Sequence, residues 1–345
     1  MADVKGTMVL FQKIKEDAYK QCRPIQATFE LTPRCGLNCR MCYVHLQPEK
    51  ISKCGRGREL TAEEWIRMGR QAQKAGVFSL CITGGDPLLH PEFEKIWKAL
   101  SQMGFFITLQ SNAYSITERI EKLFCDYPPQ EVKITLYGSN DEVYREVCRV
   151  ENGFTKVNEG IRKLQALKIP IQMVTTFVKQ NIDDRDNIFQ YIYKNRYRWY
   201  YSTACYPSLR GVDNEAEECA LSPYDLGCSE EISREWNEKQ VMKEGKKPCE
   251  YCSVYRTGYD ITWDGYMRFC LFLDEPKIDA LAGDFEENWQ ALQTYSENIR
   301  WPEKCYTCEI KEKCRKCIAS LACNNDGIGK IKKDFCEKIT QLLGK

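Results

Sequence analysis

The 345-residue sequence predicts an α/β protein, a curved or partial barrel of parallel strands followed by a small irregular domain. Three observations lead there. Short β-like runs alternate with amphipathic helical stretches from Gln26 to Arg210. The notable loop motifs all fall just after strand ends, where α/β folds bind ligands. Nine of the last 97 residues are cysteine, too many thiols and too few apolar runs for an ordinary core, so metal is expected to hold that part together.

The elements follow in order. ATFEL (27–31) is the first strand and runs into a cysteine loop. LTAEEWIRMGRQAQKAG is a helix with a Thr61/Glu64 capping box and a stop at Gly76. VFSLCIT (77–83) is the second strand, and PEFEKIWKALSQMG a helix with Pro91 in its first turn. FFITLQ (105–110), a helix over 116–124, and VKITLYG (132–138) come next. Two helical pieces begin near Ser139, with Glu142 completing a capping box, and near Phe154. IPIQMVTTFV (169–178), a helix from Asp184 and RWYYSTA (198–204) complete six strands. The expected organisation is an N-terminal arm (1–25), a barrel (26–210), a polar connector with one helical run after Ser222 (211–248) and a cysteine-rich domain (249–345).

Composition excludes several classes. Fifty basic and 49 acidic residues leave a net charge of +1, which argues against nucleic acid or an anionic membrane as partner. No signal peptide and no long apolar run are present, so a cytoplasmic location is expected. Twenty cysteines in a reducing compartment read as metal ligands rather than disulfides. With only His45 and His90, histidine-based catalysis is disfavoured.

The cysteine loop, TPRCGLNCRMCYVHL, places Cys35, Cys39 and Cys42 in a CxxxCxxC spacing. Three thiolates suit a cubane [4Fe–4S] cluster whose fourth iron stays open, the arrangement of a catalytic rather than a structural metal. With this motif after the first strand, the sequence resembles the radical S-adenosylmethionine (SAM) enzymes, and the barrel then corresponds to their (βα)6 fold. The resemblance implies that SAM fills the open position and is cleaved to a 5′-deoxyadenosyl radical.

It also implies roles along later strand ends. Gly84, Gly85 and Asp86 of TGGDP match the segment that accepts the SAM ammonium. Ser111 and Asn112 of LQSNA match a position that holds the SAM ribose or carboxylate; read alone, LQSNA is an Asx-type turn. In the family an aromatic residue or His often precedes the third cysteine beside adenine. Here Met41 stands there, with Tyr43 just after the cysteine. TLYGSNDEVYREV resembles a further stretch of the same subgroup. Thr175, on strand five, is a further candidate cofactor-binding residue, and Asn181 lies just past that strand. Arg210, past strand six, is a candidate fork for the SAM carboxylate.

The tail carries Cys252-x12-Gly265-x4-Cys270 and Cys305-x2-Cys308-x5-Cys314, with a turn at Gly265 bringing Cys252 and Cys270 together. This resembles the SPASM extension, which binds two auxiliary [4Fe–4S] clusters. The resemblance implies one from Cys249, Cys252, Cys270 and Cys317, and another from Cys305, Cys308, Cys314 and Cys336. Cys323 is the alternative to Cys317, because only two residues separate Cys314 from Cys317. Taken alone, the C-x2-C pairs suit zinc equally well.

SPASM enzymes mostly modify peptides or proteins. The expected function is therefore maturation of a ribosomally made peptide by thioether or C–C crosslinking. Formylglycine formation on a sulfatase and haem side-chain chemistry are the alternatives, and a non-catalytic iron–sulfur electron carrier is the alternative of a different class. Sulfatase-maturing relatives place Asp directly after the cysteine matching Cys270; here it is Leu271, and Asp274 is the nearest downstream acid. Cys205, after strand six, is a candidate hydrogen-atom donor. Expected partners are a precursor peptide, recognised by either a separate leader-recognition protein or the barrel surface itself in place of a winged-helix domain, and a flavodoxin- or ferredoxin-type electron donor.

Overall fold

The computed structural model describes residues 4–221, 247–311, 314, 317–324, 327 and 329–342. The helical run expected after Ser222 lies outside them. Helix α1 (Val4–Gln21) occupies the expected N-terminal arm. Six strands then run in parallel: β1 (Gln26–Glu30), β2 (Ser79–Thr83), β3 (Phe106–Ser111), β4 (Glu131–Thr135), β5 (Ile171–Thr176) and β6 (Arg198–Ser202). Between them lie α2 (Ala62–Lys74), α3 (Phe93–Ser101), α4 (Glu118–Asp126), α5 (Asp141–Cys148), α6 (Gly153–Ala166) and α7 (Arg185–Lys194). This is the expected (βα)6 arrangement.

The helices stay on one side because each carries an apolar stripe facing the sheet. Trp65 and Met68 of α2 and Ile96, Trp97 and Leu100 of α3 are buried, and Phe29 of β1 packs its ring 5.2 Å from Trp65. The capping box on α2 is present, with Glu64 N–H donating to Thr61 Oγ1 and Thr61 N–H to Glu64 Oε2. The expected Ser139 cap on α5 is displaced by one residue. Asn140 accepts from Val143 N–H, while Ser139 donates its N–H and hydroxyl to Asp184. Asp184 draws Ser139 out of the cap by offering both carboxylate oxygens.

The cysteine-rich region does not begin as a separate layer. Strand β7 (Gly258–Ile261) pairs in parallel with β1, and β8 (Tyr266–Arg268) and β9 (Ile278–Asp279) continue as antiparallel strands. Among the described residues the sheet therefore has nine strands, in the order β6-β5-β4-β3-β2-β1-β7-β8-β9. Gly265 makes the β7–β8 turn with φ +84°, a conformation that glycine adopts at little cost. Helix α8 (Phe285–Asn298) covers this hairpin, with Trp289 and Leu292 buried. No described helix is long and apolar enough to cross a membrane.

Candidate active site

The cysteine loop is clamped from two sides. Gly85 N–H donates to Thr32 O at 2.8 Å and Asp86 N–H to Arg34 O at 2.7 Å, tying the Gly-Gly loop to the start of the cysteine loop. On the far side, Asn38 N–H donates to Cys148 O and Arg40 N–H to Val147 O, each at 3.0 Å. The approach to the Gly-Gly loop is close. A Cβ on Gly84 would sit 2.5 Å from Thr32 O, and one on Gly85 2.5 Å from Arg34 O. With the Gly85 and Asp86 N–H groups spent on the cysteine loop, the Gly-Gly turn has carbonyl oxygens to present, acceptors that suit an ammonium group.

Inside this frame a cavity of about 370 Å³ opens at the C-terminal strand ends. Cys35, Cys39 and Cys42 all line it, with Met41, Tyr43, Gly84, Gly85, Ser111 and Asn112. Sulfur acceptors are served by N–H donors, two from the loop itself and one from the end of β3. Asn112 Nδ2 donates to Cys35 Sγ at 3.3 Å, Leu37 N–H to the same sulfur at 3.4 Å and His45 N–H to Cys42 Sγ at 3.3 Å. Asn112 also accepts from Tyr114 N–H at 2.9 Å, so it closes an Asx turn and serves a sulfur at once.

Burial pushes the Cys35 thiol well up, aided by Asp86 and the neighbouring thiols, and pushes Cys42 up to about 12. Cys39 is raised first by its hydrogen bond with Cys148 and then by burial. Such thiols surrender their protons only when a cation takes over the charge, as metal binding requires. The donor set, three soft thiols on one cavity with sulfur-directed N–H groups, fits an iron–sulfur cluster. Among the described residues, no group of three His, Cys, Asp or Glu side chains is drawn up as tightly as an ion would need.

Several candidate residues stand elsewhere than expected. Asp86 lies behind the cavity, accepting from Ser111 Oγ at 3.0 Å and Leu88 N–H at 3.4 Å. Thr175 does not line the cavity. Val174 and Thr176 do, and strand alternation turns Thr175 to the opposite face, where it accepts from Trp199 Nε1 at 3.1 Å. Arg210 is likewise no cavity residue. Its guanidinium grips the Glu30 carboxylate in a buried pair, with its fork turned inward because a buried carboxylate at the end of β1 demands a cation. Asn181 braces the β4 and β5 ends, donating to Tyr137 O and Thr176 O. Asp274 is exposed and away from the cavity. Cys205 does line it, and burial pushes its thiol up to about 12, so it stays protonated at neutral pH.

Residues missed in the sequence complete the wall: Gln110, Tyr137, Thr176, Tyr200, Tyr206 and Phe272. Phe272 stacks on Tyr206 at 3.9 Å and meets Tyr43 edge-on at 4.6 Å. Its place two residues after Cys270 is the one signal that could have found it. Through it, the cysteine-rich region reaches the cavity mouth.

Burial pushes the Asp86 carboxyl up to about 6, against hydrogen bonds from Ser111, Leu88 and Ser115 that lower it. A folded-state value above the unfolded 3.8 means that the protonated form folds more stably. That contribution is whole below about pH 4 and lost as pH rises through about 6, a decline of about 3 kcal/mol. Asp86→Asn is expected to flatten the stability profile of the metal-free protein across this window. Urea midpoints at pH 4.5 and 7.5 check it, and an equally steep variant would assign the slope to other groups.

The turn at Gly265 does bring its cysteines together. Cys270 feels the sulfurs of Cys252 and Cys317, Cys252 feels that of Cys317, and Cys249 feels that of Cys252. Burial pushes Cys249 up to about 12 and Cys252 up to about 11. Asp260 stands beside them, with Leu271 N–H donating to its Oδ2 at 2.9 Å. The second expected set is spread over short elements. Cys305 lies in a helical turn at Glu303–Tyr306, Cys308 and Cys314 follow it, and Cys336 lies in the helix Lys333–Leu342. The side chain of Cys323 lies outside the described residues.

Residues 29–192 match the family model of the radical SAM superfamily. Over 327 residues the chain is 25% identical to an AdoMet-dependent heme synthase of Methanosarcina barkeri, covering 86% of this chain and 91% of that protein. It is 23% identical to a PqqA peptide cyclase of Ruegeria pomeroyi over 48% of this chain and 43% of that one. The crystal structure of Streptococcus suis SuiB bound to its precursor peptide SuiA superposes with a TM-score of 0.69 at 15% identity, covering 98% of this chain and 82% of that one.

Proposed function

We propose that this chain, a radical SAM enzyme with a SPASM-like C-terminal region, abstracts a hydrogen atom from an uncharged side chain of a ribosomally made peptide and joins that carbon by a thioether or C–C crosslink. The observation that carries this reading is the cavity wall. Among the described residues, no Asp, Glu, Lys or Arg lines it. Beyond the Gly-Gly loop and Ser111–Asn112 the wall is Val174, Thr176, Tyr200, Ser202, Ala204, Cys205, Tyr206 and Phe272, surfaces for a neutral side chain.

Each residue class has its task. Cys35, Cys39 and Cys42 would hold a [4Fe–4S] cluster, which with SAM bound would supply a 5′-deoxyadenosyl radical. The Gly84–Gly85 carbonyls receive the SAM ammonium, Ser111 and Asn112 its polar groups, and Met41 and Tyr43 the adenine. Tyr43, Tyr206 and Phe272 narrow the mouth and exclude water from the reacting carbon. Two auxiliary clusters complete the expected cofactor set. A flavodoxin- or ferredoxin-type donor and a separate leader-recognition protein are the expected partners in the cytoplasm.

Haem side-chain chemistry is the second reading, supported by the likeness to the archaeal heme synthase over most of the chain. Against it, a tetrapyrrole carries several carboxylates, and burying them without cationic partners is costly. The discriminating experiment supplies the reconstituted protein anaerobically with SAM, a reductant, and either any short cysteine-containing peptide found encoded beside its gene or an iron tetrapyrrole. The expected result is 5′-deoxyadenosine formed in step with a peptide product lighter by two hydrogens. Turnover with the tetrapyrrole alone, or a cysteine converted to formylglycine, would replace this reading. No 5′-deoxyadenosine under any condition would leave an electron carrier.

A further inference from the structure

Directly below the neutral wall of the cavity stands a lysine that pairs with no carboxylate among the described residues. Val132 and Ile134 of β4 are fully buried in the core, so Lys133 between them shares the barrel's inner face with Thr135, which lines the cavity. In register beside it stand Gln110 of β3 and Gln172 of β5, on strands about 4.8 Å away to either side. Gln110 lines the cavity, and Gln172 shares its face with the lining residues Val174 and Thr176. Cys81 of β2 lies on the same inner face, and the Lys133 charge opposes the burial that pushes its thiol up to about 12.

The acids of this face are already engaged. Glu131, two residues earlier on β4, pairs with Arg198, Glu30 pairs with Arg210, and Asp260 accepts from Leu271 N–H. Gln110 accepts from Thr83 Oγ1 at 3.2 Å, which leaves its amide N–H groups to donate. One ammonium between two amides fits one carboxylate. It does not fit the amino-acid end of SAM, which the Gly-Gly loop and Ser111–Asn112 receive at the strand ends, because Lys133 lies two residues, about 7 Å, deeper along β4 than Thr135. It also falls short of the several carboxylates of a tetrapyrrole. We infer that Lys133, flanked by Gln110 and Gln172, is a specificity-determining residue that anchors an Asp or Glu side chain of the substrate peptide, next to the neutral residue from which hydrogen is taken. The inference rests on the peptide-modifying reading above and names which peptides it favours.

The test titrates the reconstituted protein, saturated with SAM, with two blocked tripeptides, acetyl-Gly-Glu-Gly-amide and its Gln counterpart, and reads binding by saturation-transfer NMR. The wild type is expected to hold the Glu peptide about tenfold more tightly, the scale of a hydrogen bond to a charged group. Lys133→Met is expected to hold both alike, with the iron content and SAM affinity of the wild type. Lys133→Glu is expected to turn the preference to acetyl-Gly-Lys-Gly-amide, which a merely structural lysine would not do. Equal binding of the first two probes to the wild type, or none of the acidic one, overturns the inference. So does a preference that survives in Lys133→Met, or a fall in SAM affinity there, which would give the lysine to the SAM carboxylate. Turnover of a peptide with no acid near the modified residue ends this inference alone and leaves the peptide reading standing. Binding of an iron tetrapyrrole that depends on Lys133 would end both.

Discussion

Replacing Cys35, Cys39 and Cys42 together with alanine is expected to abolish 5′-deoxyadenosine formation and to lower iron from about twelve to about eight atoms per chain, the loss of one of the three proposed cubanes. The expectation follows from three thiols on one cavity wall, each pushed up by its surroundings and so dependent on iron to become thiolate. Iron and sulfide are measured after anaerobic purification, beside SAM cleavage. About four irons falling to none, with zinc in the protein, would leave the barrel site standing. It would give the cysteines around Cys252, Cys270 and Cys317 to zinc, since their pairs suit either metal. Iron unchanged by the triple substitution would remove the site altogether.

Arg210→Met destabilises the protein by about 3–5 kcal/mol, because it leaves the Glu30 carboxylate buried without its cation. The pair is closed to water, with 3% and 0% of the two side chains exposed, and Arg210 Nη2 reaches Glu30 Oε2 at 3.0 Å. The guanidinium also lies 5.7 Å over the Tyr43 ring, so its loss loosens one wall of the cavity mouth. The double variant Glu30→Gln/Arg210→Met removes both charges and is expected to regain most of the stability. Denaturant midpoints of the wild type and both variants measure this. A single variant as stable as the wild type would mean that water reaches Glu30, and the pair would then contribute little.

Much of the site was legible because its signals are local. The CxxxCxxC spacing, the Gly-Gly turn and Ser111–Asn112 each lie within a few residues, directly after an alternating strand. A sulfur donor such as Asn112 belongs to its own turn. Thr175 was misplaced for a smaller reason. Strand five reads TT at its end, and a one-residue shift in parity decides which threonine faces the cavity.

By itself, then, the sequence determined the run of parallel strands and helices, the cysteine loop at the first strand's end and the glycine loop beside it. Periodicity, caps and turns act over one or two turns of chain, and they are written where they act. Only the tertiary structure decided that β7 joins the free edge of β1, that Glu30 turns Arg210 away from the cavity across 180 residues, and that Phe272 and Cys148 arrive from other elements. Those outcomes depend on which buried charge must find a partner and which sheet edge must be paired. Such demands are met by whatever the fold brings near, whatever its distance along the chain.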